Sequence, residues 1–293
     1  MAEKEPINPS SEDRHSNEPF EPGPIMVITR ESLAPNVQLL TVRAPVVASK
    51  IQPGQFAIIR ADERGERIPL TIADWDREKG SVSCVFIQVG TSTYKLGRLK
   101  AGDFLPTFVG PLGKPLELDR WGTVVVAAGC YGIGSIYPIA RALKEKGNRI
   151  ISLIEGRSRF LLYWLDRLEA VSDRMLISTR DNPIRDNVTG PDTLEDLLAS
   201  GERIDRVIAI GCTFMMYEMA EATRRFSVKT IVSLNPIMID GTGMCGACRV
   251  SVGGETRFAC VDGPDFDAHQ VDWELLLARR KAYLVPEVDS AQR

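Results

Sequence analysis

Two hydrophobic periods occupy this chain, and one gives way to the other near residue 120. From Ile25 to about Pro111, short apolar runs recur at Ile25–Thr29, Val37–Val42, Phe56–Arg60, Pro69–Ala73, Val82–Val89 and Phe104–Val109. Turn signals such as Pro53-Gly54 and Gly102-Asp103 separate them, with no long helical period between. Six short strands of this kind predict a small antiparallel β-barrel. From Gly122 onward, apolar strands at Thr123–Ala128, Ile150–Glu155, Met175–Ser178, Arg206–Ile210 and Thr230–Leu234 alternate with helical stretches at Ile136–Lys146, Asp192–Ala199 and Met215–Phe226. That alternation predicts an α/β doubly wound parallel sheet, whose ligands lie beyond the carboxyl ends of its strands. The expected ranges are a disordered lead over 1–23, the barrel over 24–119, the parallel-sheet domain over 120–236, and a loop-rich segment with a terminal helix, Asp272–Lys281, over 237–286.

The loop-rich segment carries the strongest chemical signal. Asp240, Cys245, Cys248 and Cys260 are spaced D-x4-C-x2-C-x11-C, the register of a plant-type two-iron ferredoxin loop with an aspartate at the first ligand. Gly241, Gly243, Gly246 and Ala247 let the backbone curl around a 2Fe-2S cluster and aim amides at its sulfurs. A carboxylate can fill the iron position that three thiolates leave open, with water or another residue as the alternative. Structural zinc is the competing reading of the cysteines, because a C-x2-C pair with two further ligands also makes a tetrahedral site.

A second signal follows the first strand of the parallel sheet. Gly129, Gly132, Ile133 and Gly134 open a helix, where glycine lets the backbone approach a pyrophosphate and the free amides meet its charge. Glu155 and Arg157 end the next strand, where the adenosine ribose of a dinucleotide is read; glutamate suits NAD, arginine could accept the phosphate of NADP, and a surface ion pair is the alternative to both. Gly211, Cys212 and Thr213 end a later strand and leave room for a flat ring, though a plain helix start capped by Thr213 reads equally from the residues. Met215, Met216 and Met219 are expected in the core.

Barrel, dinucleotide sheet and two-iron loop in this order resemble the ferredoxin reductase superfamily, in its dihydroorotate dehydrogenase electron-transfer subunit branch. The Asp-Cys-Cys-Cys set, Arg67-Ile-Pro69-Leu70-Thr71 and Asp262-Gly-Pro264 resemble, within that branch, the small subunits of NADH-dependent ferredoxin:NADP oxidoreductases, also called sulfide dehydrogenase beta subunits. The resemblance implies FAD in the barrel, met by Arg67, Pro69, Leu70 and Thr71, by Gln88, Val89, Ser92 and Thr93 at a helix start, and by Gly110, Leu112 and Gly113. In a subunit serving a dihydroorotate dehydrogenase, cysteine would be expected at the first ligand and arginine directly before the proline; Asp240 and Ile68 depart from that.

The resemblance also implies hydride transfer from NAD(H) to FAD, with the nicotinamide near Cys212 and no catalytic acid or base. Its partner would be a larger flavoprotein of the glutamate synthase small-subunit type, with FAD and 4Fe-4S clusters, reaching ferredoxin in an electron-bifurcating complex. A non-redox protein binding zinc and a nucleotide is the reading from another class. The net charge of -3 over 36 basic and 39 acidic side chains offers no field for nucleic acid. No apolar run approaches the roughly 20 residues of a membrane span. A cytoplasmic location is expected.

Overall fold

The computed structural model describes residues 25–181 and 188–282. The expected lead, and residues 283–286 of the tail, lie outside them. Seven strands build the first sheet: β1 (Ile25–Ala34), β2 (Val37–Arg43), β3 (Phe56–Arg60), β4 (Ile68–Asp76), β5 (Ser81–Ile87), β6 (Phe104–Leu105) and β7 (Thr107–Leu112). They pair antiparallel in the order β6-β1-β2-β5-β4-β3-β7. Only Pro106 separates the two edge strands, so the chain itself bridges the barrel's open seam. The single strand expected over Phe104–Val109 is divided there, because proline has no amide to give to a ladder.

Two short helices interrupt the barrel strands. The α1 helix (Pro45–Lys50) starts on a proline already set at helical φ and buries Val47 and Ala48; six residues are too few to show a period. The α2 helix (Thr91–Leu96) follows β5. Ile58, Ile59, Phe86, Leu96 and Leu105 lie among the largest fully buried side chains.

The second sheet contains β8 (Thr123–Gly129), β9 (Arg149–Gly156), β10 (Arg174–Thr179), β11 (Arg206–Ile210) and β12 (Thr230–Ser233), parallel in the order β10-β9-β8-β11-β12. Val124 to Ala128 are wholly buried, as strands covered on both faces must be. Helices α3 (Gly132–Glu145), α4 (Leu165–Ala170), α5 (Gly190–Ala199) and α6 (Thr213–Arg225) connect them. Because strand order reverses between β8 and β11, the crevice between their carboxyl ends, at Gly129 and Ile210, is the ligand position of the fold.

The last segment is less independent than its loop-like sequence suggests. β13 (Arg249–Val252) and β14 (Glu255–Phe258) form a hairpin, and β15 (Asp265–Asp267) pairs antiparallel with β12 as a sixth strand of the parallel sheet. Three residues show no alternation, so this strand is visible only through its partner. Helix α7 (Trp273–Lys281) closes the described chain, its amino end capped by the Asp272 carboxylate accepting from the amide of Leu275 at 2.9 Å.

Candidate functional site

Three left-handed glycines shape the cysteine loop: Gly241, Gly243 and Gly246 have φ of 77, 84 and 68 degrees. A Cβ on Gly241 would lie 2.6 Å from Leu112 and 3.0 Å from Ile58, so the loop rests directly on β3 and β7. The turn sets the predicted ligands in two pairs, Cys248 beside Cys260 and Asp240 beside the Cys245 amide. Cys248 and Cys260 are buried with their sulfurs 3.2 Å apart, and no disulfide joins them, while Cys245 is exposed and Asp240 half-buried.

The Asp240 carboxylate accepts the amides of Thr242 at 2.9 Å and Cys245 at 3.0 Å, and the Thr242 bond foremost holds it below the usual carboxylate range. Each oxygen keeps a lone pair for a metal. Burial, then the neighbouring Cys248, pushes the Cys260 thiol up to about 12, so a metal must displace its proton to bind. Among the described residues no three His, Cys, Asp or Glu side chains converge on one point.

Two of the three barrel segments assigned to a flavin flank β3. Thr71 of β4 and Leu112 of β7 both lie opposite Phe56, and Pro69 and Leu70 lie opposite Ile58 and Ala57. A Cβ on Gly110 would sit 3.2 Å from Ala57, and one on Gly113 2.9 Å from both Phe56 and Pro264. The third segment is tied in by Ser92, whose hydroxyl donates to Glu66 at 3.1 Å. Thr93 accepts the amides of Val89 and Gly90 at 3.0 and 3.1 Å, closing the start of α2 on itself. Gln88 packs against Gly97 at the other end of that helix. Arg67 donates to the Ile239 carbonyl at 2.9 Å, beside Asp240. The Thr71 hydroxyl has no hydrogen-bond partner among the described residues and is available to a ligand.

At the crevice of the parallel sheet, a Cβ on Gly211 would lie 3.4 Å from the Gly129 amide and 2.6 Å from Met215, and one on Gly132 would collide with the Ile210 carbonyl. Met215, Met216 and Met219 are buried, with Met215 as the floor beneath both strand ends. Cys212, not Thr213, caps α6, its sulfur accepting the Met215 amide at 3.4 Å. Ile133 is buried in the core. Gly134 faces away from the crevice: a Cβ there would meet Val85 at 2.8 Å and Ala73 at 3.3 Å, so this glycine lets α3 pack on the barrel.

Glu155 and Arg157 are not paired. Arg157 is exposed, whereas Glu155 is held at the start of α5 with Oε2 buried and unpartnered among the described residues. Burial raises its pKa, opposed in part by the Gly190 amide. An unpartnered buried carboxylate oxygen at this strand end suits a hydroxyl donor.

Sequence reasoning passed over several residues here. The Tyr131 hydroxyl donates to the Gly211 carbonyl at 2.6 Å, and Asn235 donates to that hydroxyl and, at 3.4 Å, to the same carbonyl. Thr213 donates to Asn235 at 3.0 Å. Burial pushes Tyr131 up to about 12, so it stays a donor. Tyr163 accepts the Gly134 amide at 3.0 Å behind them. Asn235 had one available signal, a polar side chain just past the carboxyl end of a parallel strand. His269 lies 3.0 Å from the Thr223 hydroxyl on the far side of α6, and His15 is outside the described residues.

A family model described as the iron-sulfur cluster binding domain of dihydroorotate dehydrogenase B matches residues 235–272. The dihydroorotate dehydrogenase B (NAD(+)) electron transfer subunit homolog of Thermotoga maritima is 41% identical over 267 residues, covering 91% of this chain and 94% of that protein. The dihydroorotate dehydrogenase B (NAD(+)) electron transfer subunit of Clostridium acetobutylicum is 27% identical over 218 residues, covering 74% and 85%. A solved structure described as giving insights into flavin-based electron bifurcation via the NADH-dependent reduced ferredoxin-NADP oxidoreductase superposes with a TM-score of 0.85 at 40% identity, covering 94% of this chain and 99% of that one. Fold and site thus define an oxidoreductase electron-transfer subunit of the ferredoxin-reductase type with an appended iron-sulfur domain. The chain belongs to the family of dihydroorotate dehydrogenase B electron-transfer subunits and their homologues. No helix among the described residues is long and apolar enough to cross a membrane.

Proposed function

We propose that this chain is the NADH-oxidising subunit of an NADH-dependent ferredoxin:NADP oxidoreductase, with FAD on the barrel and a 2Fe-2S cluster held by Asp240, Cys245, Cys248 and Cys260. One observation carries the reading: Cys248 and Cys260 share a buried core with Phe56 and Ile58, and Leu112 packs against it. The strand between two of the flavin segments is therefore also the floor of the cluster loop. Bound FAD would take a hydride from nicotinamide and release electrons singly to the cluster, a conversion from two-electron to one-electron transfer that neither neighbour can make.

The chain's own residues bind, orient and exclude water. Gly129 and Gly132 admit the pyrophosphate at the start of α3, while Gly211 and Cys212 leave a slot for the nicotinamide ring. Glu155 selects NAD by receiving a ribose hydroxyl and repelling a phosphate. Thr71 offers its hydroxyl to the flavin ring, and Gly110 and Gly113 leave room beside β3. Arg67, tied to the cluster loop by Ile239, spans the two cofactor positions.

The partner is a larger flavoprotein of the glutamate synthase small-subunit type, with its own FAD and 4Fe-4S clusters, in an electron-bifurcating complex that meets ferredoxin and NADP. The 40% identity to the structure described for the NADH-dependent reduced ferredoxin-NADP oxidoreductase, against 27% to the dihydroorotate dehydrogenase subunit, supports this reading, as do Asp240 and Ile68. The complex prepared anaerobically should contain flavin, iron and acid-labile sulfide, with the corresponding visible bands; colourless, intact complex overturns the proposal. Ferredoxin reduction by NADPH that needs no NAD overturns the bifurcating part alone.

A further inference from the structure

Helix α7 follows the cluster segment and reaches two sites with consecutive residues. Arg279 donates to the Ala247 carbonyl at 3.2 Å, in the loop between Cys245 and Cys248. Arg280 donates to the Asn235 backbone carbonyl at 2.9 Å and to its side-chain oxygen at 3.1 Å. Adjacent residues on a helix diverge by about 100 degrees, so a neighbouring pair is suited to hold two different elements. Asn235 passes the second contact on, because it bonds the Gly211 carbonyl and the Tyr131 hydroxyl at the nicotinamide slot.

The helix is a firm base for both contacts. Trp273 and Leu276 are buried, and the Trp273 ring nitrogen donates to the Ala268 carbonyl at 2.9 Å. Neither guanidinium has a carboxylate partner among the described residues, and both spend their donors on carbonyl groups. The Arg280 charge acts on Tyr131, opposing the effect of burial on that phenol.

We propose that Arg279 and Arg280 are a positioning pair that locks the cluster loop and the nicotinamide wall to one helix, with the Arg279 charge raising the reduction potential of the cluster. The proposal rests on the iron-sulfur and nicotinamide reading of the two sites. A fixed positive charge favours the state that carries the extra electron, and hydrogen bonds around a cluster tune its potential. The wall at Gly211 must be held closely, because a misplacement of about 1 Å at a reacting centre can cost a hundredfold in rate.

The test uses the whole complex with Arg279→Gln, Arg279→Lys, Arg280→Gln and Arg280→Lys, read by spin resonance, redox titration and stopped-flow reduction by NADH. Arg279→Gln should alter the cluster signal and favour the oxidised cluster about tenfold, a downward shift of about 59 mV for one electron, while Arg279→Lys restores most of it. Arg280→Gln should slow flavin bleaching about tenfold with KM for NADH changed less than twofold and the cluster potential unmoved. If Arg279→Gln also loses iron, equal loss in Arg279→Lys overturns the charge role, and recovery in Arg279→Lys supports it. Iron-loaded wild type with both glutamine variants unchanged overturns the pair alone. Wild type without iron and sulfide overturns the site reading, and the pair with it.

Discussion

Asp240 differs chemically from the three cysteines around it, and its two amide bonds show how it can serve the loop and a metal together. As the proposed ligand it would supply a harder donor than thiolate, which would change the electron density on the metal it meets. Replacing it with cysteine should alter the spin-resonance spectrum and move the cluster potential; an unchanged spectrum and potential would show that Asp240 only shapes the turn. Glu155 is the corresponding residue at the proposed nucleotide end. Glu155→Ala should raise KM for NADH about tenfold and narrow the preference over NADPH, measured by initial rates with both nucleotides. A wild type already favouring NADPH would refute the assigned role.

Strand β15 introduces the most unusual charge in the described chain. Asp265 lies opposite Ser233 on β12, both its oxygens are buried without a partner of normal hydrogen-bond geometry, and burial pushes its pKa from 3.8 up to about 7. The Ser233 hydroxyl opposes that shift only in part. The folded state therefore holds a proton that the unfolded chain has released. Stability should fall as pH rises from about 4 to about 7 and level off above, by about 1.4 kcal/mol per unit within that window. Asp265→Asn should flatten this slope in urea titrations; an unaltered slope would place the proton elsewhere.

Element packing also explains Gly134. The helix that opens at the nucleotide crevice crosses the barrel at this glycine, where Val85 and Ala73 leave no space for a side chain. Gly134→Val should separate α3 from β4 and β5 and cost about 1–3 kcal/mol by overpacking, seen as a lower urea midpoint. Arg141 and Arg167 reinforce the same junction from the helix side, at 3.4 and 3.2 Å from Asp74.

Across the whole molecule, the three segments are interlocked more than they are strung together. The cluster loop lies on the barrel at Ile58 and Leu112, its last strand extends the nucleotide sheet, and its helix holds both the loop and Asn235. Removing the metal should therefore weaken more than the loop. Chelation under reducing conditions should lower the melting temperature of the entire chain, because Cys248 and Cys260 belong to a core shared with β3. A melting curve unaffected by metal loss would show the segment to be energetically separate.

The sequence by itself determined what depends on short-range pattern: the change from barrel to β-α alternation, the spacing of Asp240, Cys245, Cys248 and Cys260, and the glycines at strand ends. Local periods and spacings carry that information because neighbouring side chains and backbone angles generate it. Only the tertiary structure decided the rest: that Gly134 serves packing, that β15 joins a sheet more than thirty residues behind it, and that Arg279 and Arg280 reach separate sites. Those outcomes come from contacts between segments far apart in the chain, where partner and orientation are set by packing and leave no local trace in the order of residues.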